Sequence, residues 1–195
     1  MNYIHVTKDN IDEEHICCAI SNSTSDNRVL SKKDWIKANY ENGLTFIKLD
    51  DRGKVFIEYI PTEKAWSPII APNTLFINCF WVSGKFVHQG HGTNLLNRCI
   101  EDATIQGKDG IVVLSSVKKM PFLSDPVFLK NKGFIVSDTL GYFELLYLPI
   151  NQNAPLPKFS EHVKPLKIAS KDIVIYYSNQ CPHAEMYTKI IEEMA

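Results

Sequence analysis

The stretch Thr74-Leu75-Phe76-Ile77-Asn78-Cys79-Phe80-Trp81-Val82, continued by Ser83-Gly84-Lys85-Phe86-Val87-His88-Gln89-Gly90-His91-Gly92 and Thr93-Asn94-Leu95-Leu96, decides how this chain folds. Its first nine residues are mostly apolar and include β-branched and aromatic side chains, which predicts a strand. A glycine-punctuated loop follows. Leu96, Cys99, Ile100 and Ala103 then fall on one helical stripe that ends near Gly107. Gly90 and Gly92 allow backbone amides to turn inward and approach a ligand closely. The new helix adds unsatisfied N–H groups and the positive end of its dipole at the same place. Together they predict an anion cradle suited to a pyrophosphate. Two other phosphate loops fail on pattern. A P-loop needs Gly-Lys-Ser/Thr, and Gly92 is followed by Thr93-Asn94. A dinucleotide fingerprint needs a third glycine, and that position is Leu95.

Upstream, Tyr3 to Val6 reads as a strand, and Asn10 to Ile20 as a helix capped by Asp9 or Asn10. Ser31 to Tyr40 reads as a second helix closed by Asn42-Gly43. Leu44 to Leu49 and Val55 to Pro61 join Thr74 to Val82 as three antiparallel strands. Downstream, Ile111 to Leu114 is a wholly apolar strand of the kind covered on both faces. Ser124-Asp125-Pro126 starts a helix that stops at Lys132-Gly133. Phe134 to Val136 and Tyr142 to Ile150 are further strands. The expected class is mixed α/β.

Residues 151 to 165 hold three prolines and no period, and read as the core of a linker. One strand (Ile173 to Tyr177) and one helix (Cys181 to about Met194) follow, too little to bury a core alone. The expected division is a domain over 1–150, a linker over 151–171 and an appendage over 172–195.

The chain has 195 residues, 45% hydrophobic and 22% charged, which excludes wholesale disorder. No run approaches a membrane span, and no signal-peptide core follows Met1. With 21 basic against 22 acidic residues there is no global basic field for nucleic acid. Any polyanion must be held by a local device. Five cysteines, at 17, 18, 79, 99 and 181, suit reduced thiols and a cytoplasmic setting.

The strand-loop-helix resembles the cofactor signature of the GNAT acetyltransferase superfamily, Val-x-x-x-x-[Gln/Arg]-x-x-Gly-x-[Gly/Ala]. Val82, Gly90 and Gly92 match it in register, the element order over 1–150 matches that fold, and Lys132-Gly133-Phe134 matches a junction common in the family. Phe80-Trp81-Val82-Ser83-Gly84-Lys85-Phe86, Pro121 to Asp125 and Tyr142 to Tyr147 resemble the YoaP-type branch. That branch carries a thioredoxin-like tail opening in Tyr-Ser-Asn-Gln-Cys-Pro, matched by Tyr177 to Pro182, and the tail here looks cut short. The resemblance implies a mostly antiparallel GNAT-type sheet, acetyl-coenzyme A as cofactor, and acetyl transfer to a primary amine on a small molecule or peptide. It implies that Val87, His88, Gln89, Gly90, His91, Gly92 and Thr93 hold the pyrophosphate, mainly by backbone. Trp81 and Val82 belong to the strand that pairs with pantetheine, where a backbone N–H polarises the thioester carbonyl. Charge balance and the lack of a long apolar run lead us to expect neither a nucleic-acid nor a membrane partner, and the resemblance leaves homodimerisation through edge strands open.

The sequence departs from the family at three positions. Val87 stands where the signature has Gln or Arg, Leu129 where a tyrosine often protonates the thiolate, and Phe76 near the usual glutamate base. A coenzyme A-binding, non-catalytic module is therefore the alternative. Glu58 and Tyr142 are the replacement catalytic candidates. Strand alternation favours an outward-facing Glu58, and Tyr142 with Glu144 is expected to open the last strand beside the substrate groove. Alternation also puts Asn78 and Cys79 on opposite faces, so only one faces the cofactor. His88 and His91 lack further ligands for a metal and are expected on the solvent side of the loop. Ser115 and Ser116 are expected to close their strand. Cys181, at a helix start with Pro182 after it, is expected to have a lowered pKa and to be the most reactive thiol; Ala184 leaves it no partner for a dithiol cycle.

Overall fold

A computed structural model describes residues 2–20, 25–163 and 175–194. The strands are β1 (Tyr3–Val6), β2 (Thr45–Leu49), β3 (Val55–Pro61), β4 (Ile69–Ile70), β5 (Thr74–Val82), β6 (Gly110–Ser116), β7 (Ile135–Leu140), β8 (Phe143–Pro149) and β9 (Lys158–Phe159). The helices are α1 (Asn27–Asn39), α2 (His91–Ile105), α3 (Pro126–Asn131) and α4 (Ala184–Met194). Seven strands form one sheet in the order β1-β2-β3-β5-β6-β8-β7. Every neighbouring pair is antiparallel except β5 and β6. A parallel pair needs a crossover, and α2 supplies it. The expected fold class holds.

Both faces of the sheet centre are covered. On one, Leu95, Leu96, Cys99 and Ala103 of α2 and Leu129 of α3 pack on Ile47, Ile57, Ile77 and Val113. On the other, Ile36 of α1 packs with Ile11, Ile16, Phe46 and Phe56. β3 is consequently buried from Val55 to Ile60 without alternation. The Tyr59 hydroxyl donates to Asp102, tying β3 to α2.

Several expected boundaries move. Residues 10–20 form turns rather than a helix. Asn10 explains this: its Nδ2 donates to the His5 carbonyl at 2.9 Å and its Oδ1 accepts from Thr7 N–H at 2.8 Å. An Asn side chain bonded to nearby backbone in this way competes with helix formation. α1 starts at Asn27, not Ser31, because the Asp26 carboxylate accepts from Arg28 N–H at 3.1 Å and caps it. β8 begins at Phe143, leaving Tyr142 in the β7–β8 turn. Within the expected linker, β9 pairs antiparallel with β4. The strand expected over 173–177 lies partly outside the described residues, and 175–177 are not strand. α4 begins at Ala184, so Cys181 and Pro182 lie in the turn before it.

α3 shows what a cap contributes. The Asp125 carboxylate accepts from Val127 N–H at 2.9 Å and Phe128 N–H at 3.2 Å, with Pro126 at the first helical position. Burial pushes this carboxyl up, but Lys119 and the two amides outweigh it and hold it below its ordinary 3.8. Its stabilising contribution is present above that value and is lost as pH falls through the lower folded one. Asp125→Ala should cost about 1 kcal/mol in thermal unfolding at neutral pH. The gap to wild type should shrink in acid.

The feature that makes a site is the parting of β5 from β6. Their pairing runs from Thr74↔Gly110 to Ile77↔Val113 and stops there. β5 continues to Val82 along β3, while β6 continues to Ser116 along β8. The parting coincides with a bulge: Glu58 opposes Cys79 and Tyr59 opposes Ile77, so Asn78 is the extra residue.

Candidate active site

The glycine loop and the start of α2 form where the sequence places them. After Val82 the chain makes a short 3-10 turn (Gly84–Phe86), His88 takes φ 65°, and Gly90 takes φ 83° at the N-cap of α2. The first α2 bond runs from Asn94 N–H to the Gly90 carbonyl at 3.0 Å. The N–H groups of residues 88–93 have no backbone acceptor among the described residues. A Cβ built on Gly90 would enter open space, with nothing within 4 Å. Gly92 differs: its Cβ would press on the Phe128 ring at 3.2 Å, so that glycine serves helix packing as well. Val87, His88 and Gln89 are exposed on the loop, and Thr93 is half-buried at the start of α2.

His91 is not on the solvent side. It is buried, its Nδ1 shares a hydrogen bond with the Tyr3 hydroxyl at 2.9 Å, and Phe86 meets its ring edge-on at 5.9 Å. It anchors the loop to β1. No cluster of metal-ligating side chains occurs among the described residues.

Two cavities open at the parted strands. The first, about 180 Å³, runs along Phe76 to Trp81 and faces Leu114, Ser124 and Ser178. The second, about 300 Å³, is walled by Phe56, Trp81, Phe122 and Pro182, with Lys54 and His183 among its lining. Asn78, Cys79, Trp81, Phe122 and Gln180 line both. Asn78 and Cys79 thus face the same space, against strand alternation. The bulge turns one residue out of register and brings both to one side.

Beneath the shared wall lies a buried ion pair. Glu58 and Lys32 are both fully buried and hydrogen-bonded to each other, Lys32 Nζ donating to Glu58 Oε2. Asn78 Nδ2 donates to Glu58 Oε1 at 3.0 Å, and Gln180 Nε2 donates to the same oxygen at 3.1 Å. Lys32 Nζ also lies 4.5 Å from the Trp35 ring centre. The expectation of an outward Glu58 is corrected here. Alternation exposes one face only when that face is bare, and α1 covers this one.

The other candidates are dispersed. Tyr142 is 80% exposed and lines neither cavity. Glu144 pairs with Lys130 at 2.7 Å. Leu129 and Phe76 are core residues, 0% and 4% exposed. Ser115 Oγ donates to the Ser124 carbonyl at 2.8 Å and Ser116 Oγ to the Lys118 carbonyl at 2.6 Å, which holds the β6 end. Lys32 and Gln180 were not singled out from sequence. A carboxylate inside an apolar strand is itself the signal that a buried cation must exist; Gln180 carries none.

Cys18, Cys79 and Cys181 all line the larger cavity. Burial pushes the Cys181 thiol up and outweighs the lowering by the His183 and Ala184 N–H groups at the start of α4, opposite to the expected net effect. Burial also pushes Cys17 up to about 12 and Cys99 well up. Labelling with a disulfide reagent at pH 8 should leave Cys17 and Cys99 untouched until the protein is denatured. Cys181→Ala should leave the fast phase nearly unchanged.

A seven-stranded mixed sheet, parted at its one parallel pair beside a glycine-capped helix, defines an acyltransferase fold of the coenzyme A-binding type. The chain belongs to the GNAT acetyltransferase family, whose model matches residues 9–119. It is 48% identical to the uncharacterized N-acetyltransferase YoaP of Bacillus subtilis strain 168 over 185 residues, covering 94% of this chain and 74% of that protein. Solved structures share the fold. A GNAT-family acetyltransferase from Staphylococcus aureus Mu50 superposes with TM-score 0.50 at 19% identity, over 77% of this chain and 99% of its own. The acetyltransferase yncA of Salmonella typhimurium, solved with its cofactor acetyl-CoA, gives TM-score 0.50 at 17% identity, over 80% of this chain and 96% of its own. No helix among the described residues is long and apolar enough to cross a membrane.

Proposed function

We propose that this GNAT-family acetyltransferase moves an acetyl group from acetyl-coenzyme A to a primary amine that enters through the larger cavity. The observation that carries this is the row of N–H groups without backbone acceptors at 88–93, with open space before Gly90, leading to the parted edge of β5. Acetyl-coenzyme A supplies an activated acetyl thioester. The amides of 88–93 and the α2 N-terminus bind its pyrophosphate. The β5 edge over Asn78 to Val82, freed from β6, offers N–H and C=O groups to the pantetheine amides. An N–H in the Phe80–Val82 segment stabilises charge that develops on the thioester carbonyl.

An alkylamine arrives protonated at neutral pH and must lose a proton before it can attack. Glu58 is the proton acceptor in this reading: it is the carboxylate directly behind the wall shared by the two cavities. Lys32 holds it from below and Asn78 from the strand bulge. The Tyr142 hydroxyl, at an exposed turn, takes no part. Cytoplasmic location accords with the free cysteines.

Steady-state kinetics of Glu58→Gln with a panel of primary amines tests the assignment. kcat should fall by about 10²- to 10⁴-fold with the KM for acetyl-coenzyme A unchanged. A variant as fast as wild type would remove Glu58 from the reaction.

A further inference from the structure

The C-terminal segment reaches into the site from far along the chain. Gln180 lies 122 residues from Glu58, yet its carboxamide nitrogen donates to Glu58 Oε1 at 3.1 Å. Ser178 lines the cavity along β5, and Cys181, Pro182 and His183 line the larger one. Gln180 lines both. It is the septum between them. Nearby, the His183 ring lies 5.5 Å from Phe122, which also lines both cavities.

The position of that carboxamide has a chemical meaning. Glu58 is fully buried, and its side-chain donors among the described residues are Lys32, Asn78 and Gln180. Lys32 lies in α1 and Asn78 in the β5 bulge, both integral to the domain. Gln180 alone comes from beyond the last strand of the main sheet in chain order. Its –NH₂ group offers the hydrogen bond an amine would offer, to the carboxylate that the amine must reach. A neutral amide donor also cannot take over the proton-accepting role, so it fills the place without performing the step.

We propose that the Oε1 side of Glu58, flanked by Asn78, is the subsite for the acceptor's amino group, and that the Gln180 carboxamide is an internal stand-in that the acceptor displaces. The inference rests on the reading of Glu58 given above. The residues 178–183 then compete with the amine, and withdrawing Gln180 joins the two cavities into one passage. The joined cavity fits a monoamine on an apolar body. Its walls are Phe56, Trp81, Phe122 and Pro182, while Lys54 among its lining disfavours a second positive charge.

The apparent affinity of a site competent only a fraction of the time falls by that fraction, so a stand-in seated about 90% of the time weakens the acceptor about tenfold. Gln180→Ala in the full 195-residue chain should therefore lower the KM for 2-phenylethylamine by about tenfold, without lowering kcat. The KM for acetyl-coenzyme A should not move. Spermidine should remain the poorer substrate in both proteins. Thermal unfolding of the variant checks that the fold is kept. A Gln180→Ala protein with lower kcat, or with an unchanged or raised KM for the amine, would overturn the proposal, since Gln180 would then be a fixed supporting wall. The parent reading fails separately. If Glu58→Gln is fully active, the proton acceptor is wrong whatever Gln180→Ala does; if Glu58→Gln is inactive and Gln180→Ala is silent, only the stand-in is wrong.

Discussion

Gly90→Val is expected to weaken binding of acetyl-coenzyme A about a hundredfold while leaving a folded protein. Two effects combine at this position. Its φ of 83° is costly for a residue with a Cβ, by about 1–2 kcal/mol, and more for a branched one. That strain lowers stability and does not discriminate bound from free protein. The second effect does: the added side chain projects into the open space before the N–H groups of 88–93. Losing two charge-assisted hydrogen bonds, at about 1.5 kcal/mol each, weakens the cofactor about a hundredfold. Gly107→Ala separates the two effects. It has a φ of 64° and open space around its Cβ, but sits beyond the other end of α2. It should lose stability through the same strain and bind the cofactor normally. Equal cofactor affinity in Gly90→Val and wild type would mean that the cradle is elsewhere.

The second large effect concerns stability. Lys32→Met should destabilise the protein by about 3–5 kcal/mol, because the fully buried Glu58 carboxylate loses its counter-ion. The double variant Lys32→Met/Glu58→Met should regain most of that loss, as apolar residues of similar volume commonly replace buried pairs without penalty. The regained stability should not bring back activity. Denaturant midpoints for the two single variants and the double form the cycle that checks this. Additive losses would mean that the two charges do not depend on each other. A pair that is energetically replaceable yet present is the pattern expected when the carboxylate is kept for chemistry.

The sheet was legible wherever hydrophobic pattern and punctuation agreed. β2, β3 and β5 match their expected ranges within a residue, and the glycine loop and α2 follow in order. The start of α2 at the glycine pair was legible too, because glycine spacing and a helix start are local properties. The errors came where long-range contacts overrode local rules. Asn10 to Ile20 has helix-start chemistry, but Asn10 spends its side chain on His5 and Thr7. Glu58 sits in a strand covered on both faces, where period two says nothing about exposure. Asn78 and Cys79 share a cavity because of a bulge that no residue type announces. His91 follows a glycine-rich loop, yet Tyr3 and Phe86 draw it inward. Cys181 was read as a helix start with a lowered pKa, and burial, a long-range property, outweighs the His183 and Ala184 N–H groups that act in the expected direction. Gln180 could not be found at all. Nothing in Tyr177 to Pro182 tells that it meets a strand 122 residues earlier.

The central claim is that residues 82–93 and the parted β5 edge bind an acyl-coenzyme A. Calorimetric titration of acetyl-coenzyme A into the wild-type chain tests it most directly. Saturable one-to-one binding is expected in the micromolar to sub-millimolar range, weakened about a hundredfold in Gly90→Val and kept in Gly107→Ala. No heat of binding at millimolar acetyl-coenzyme A, from a protein shown to be folded, would contradict it.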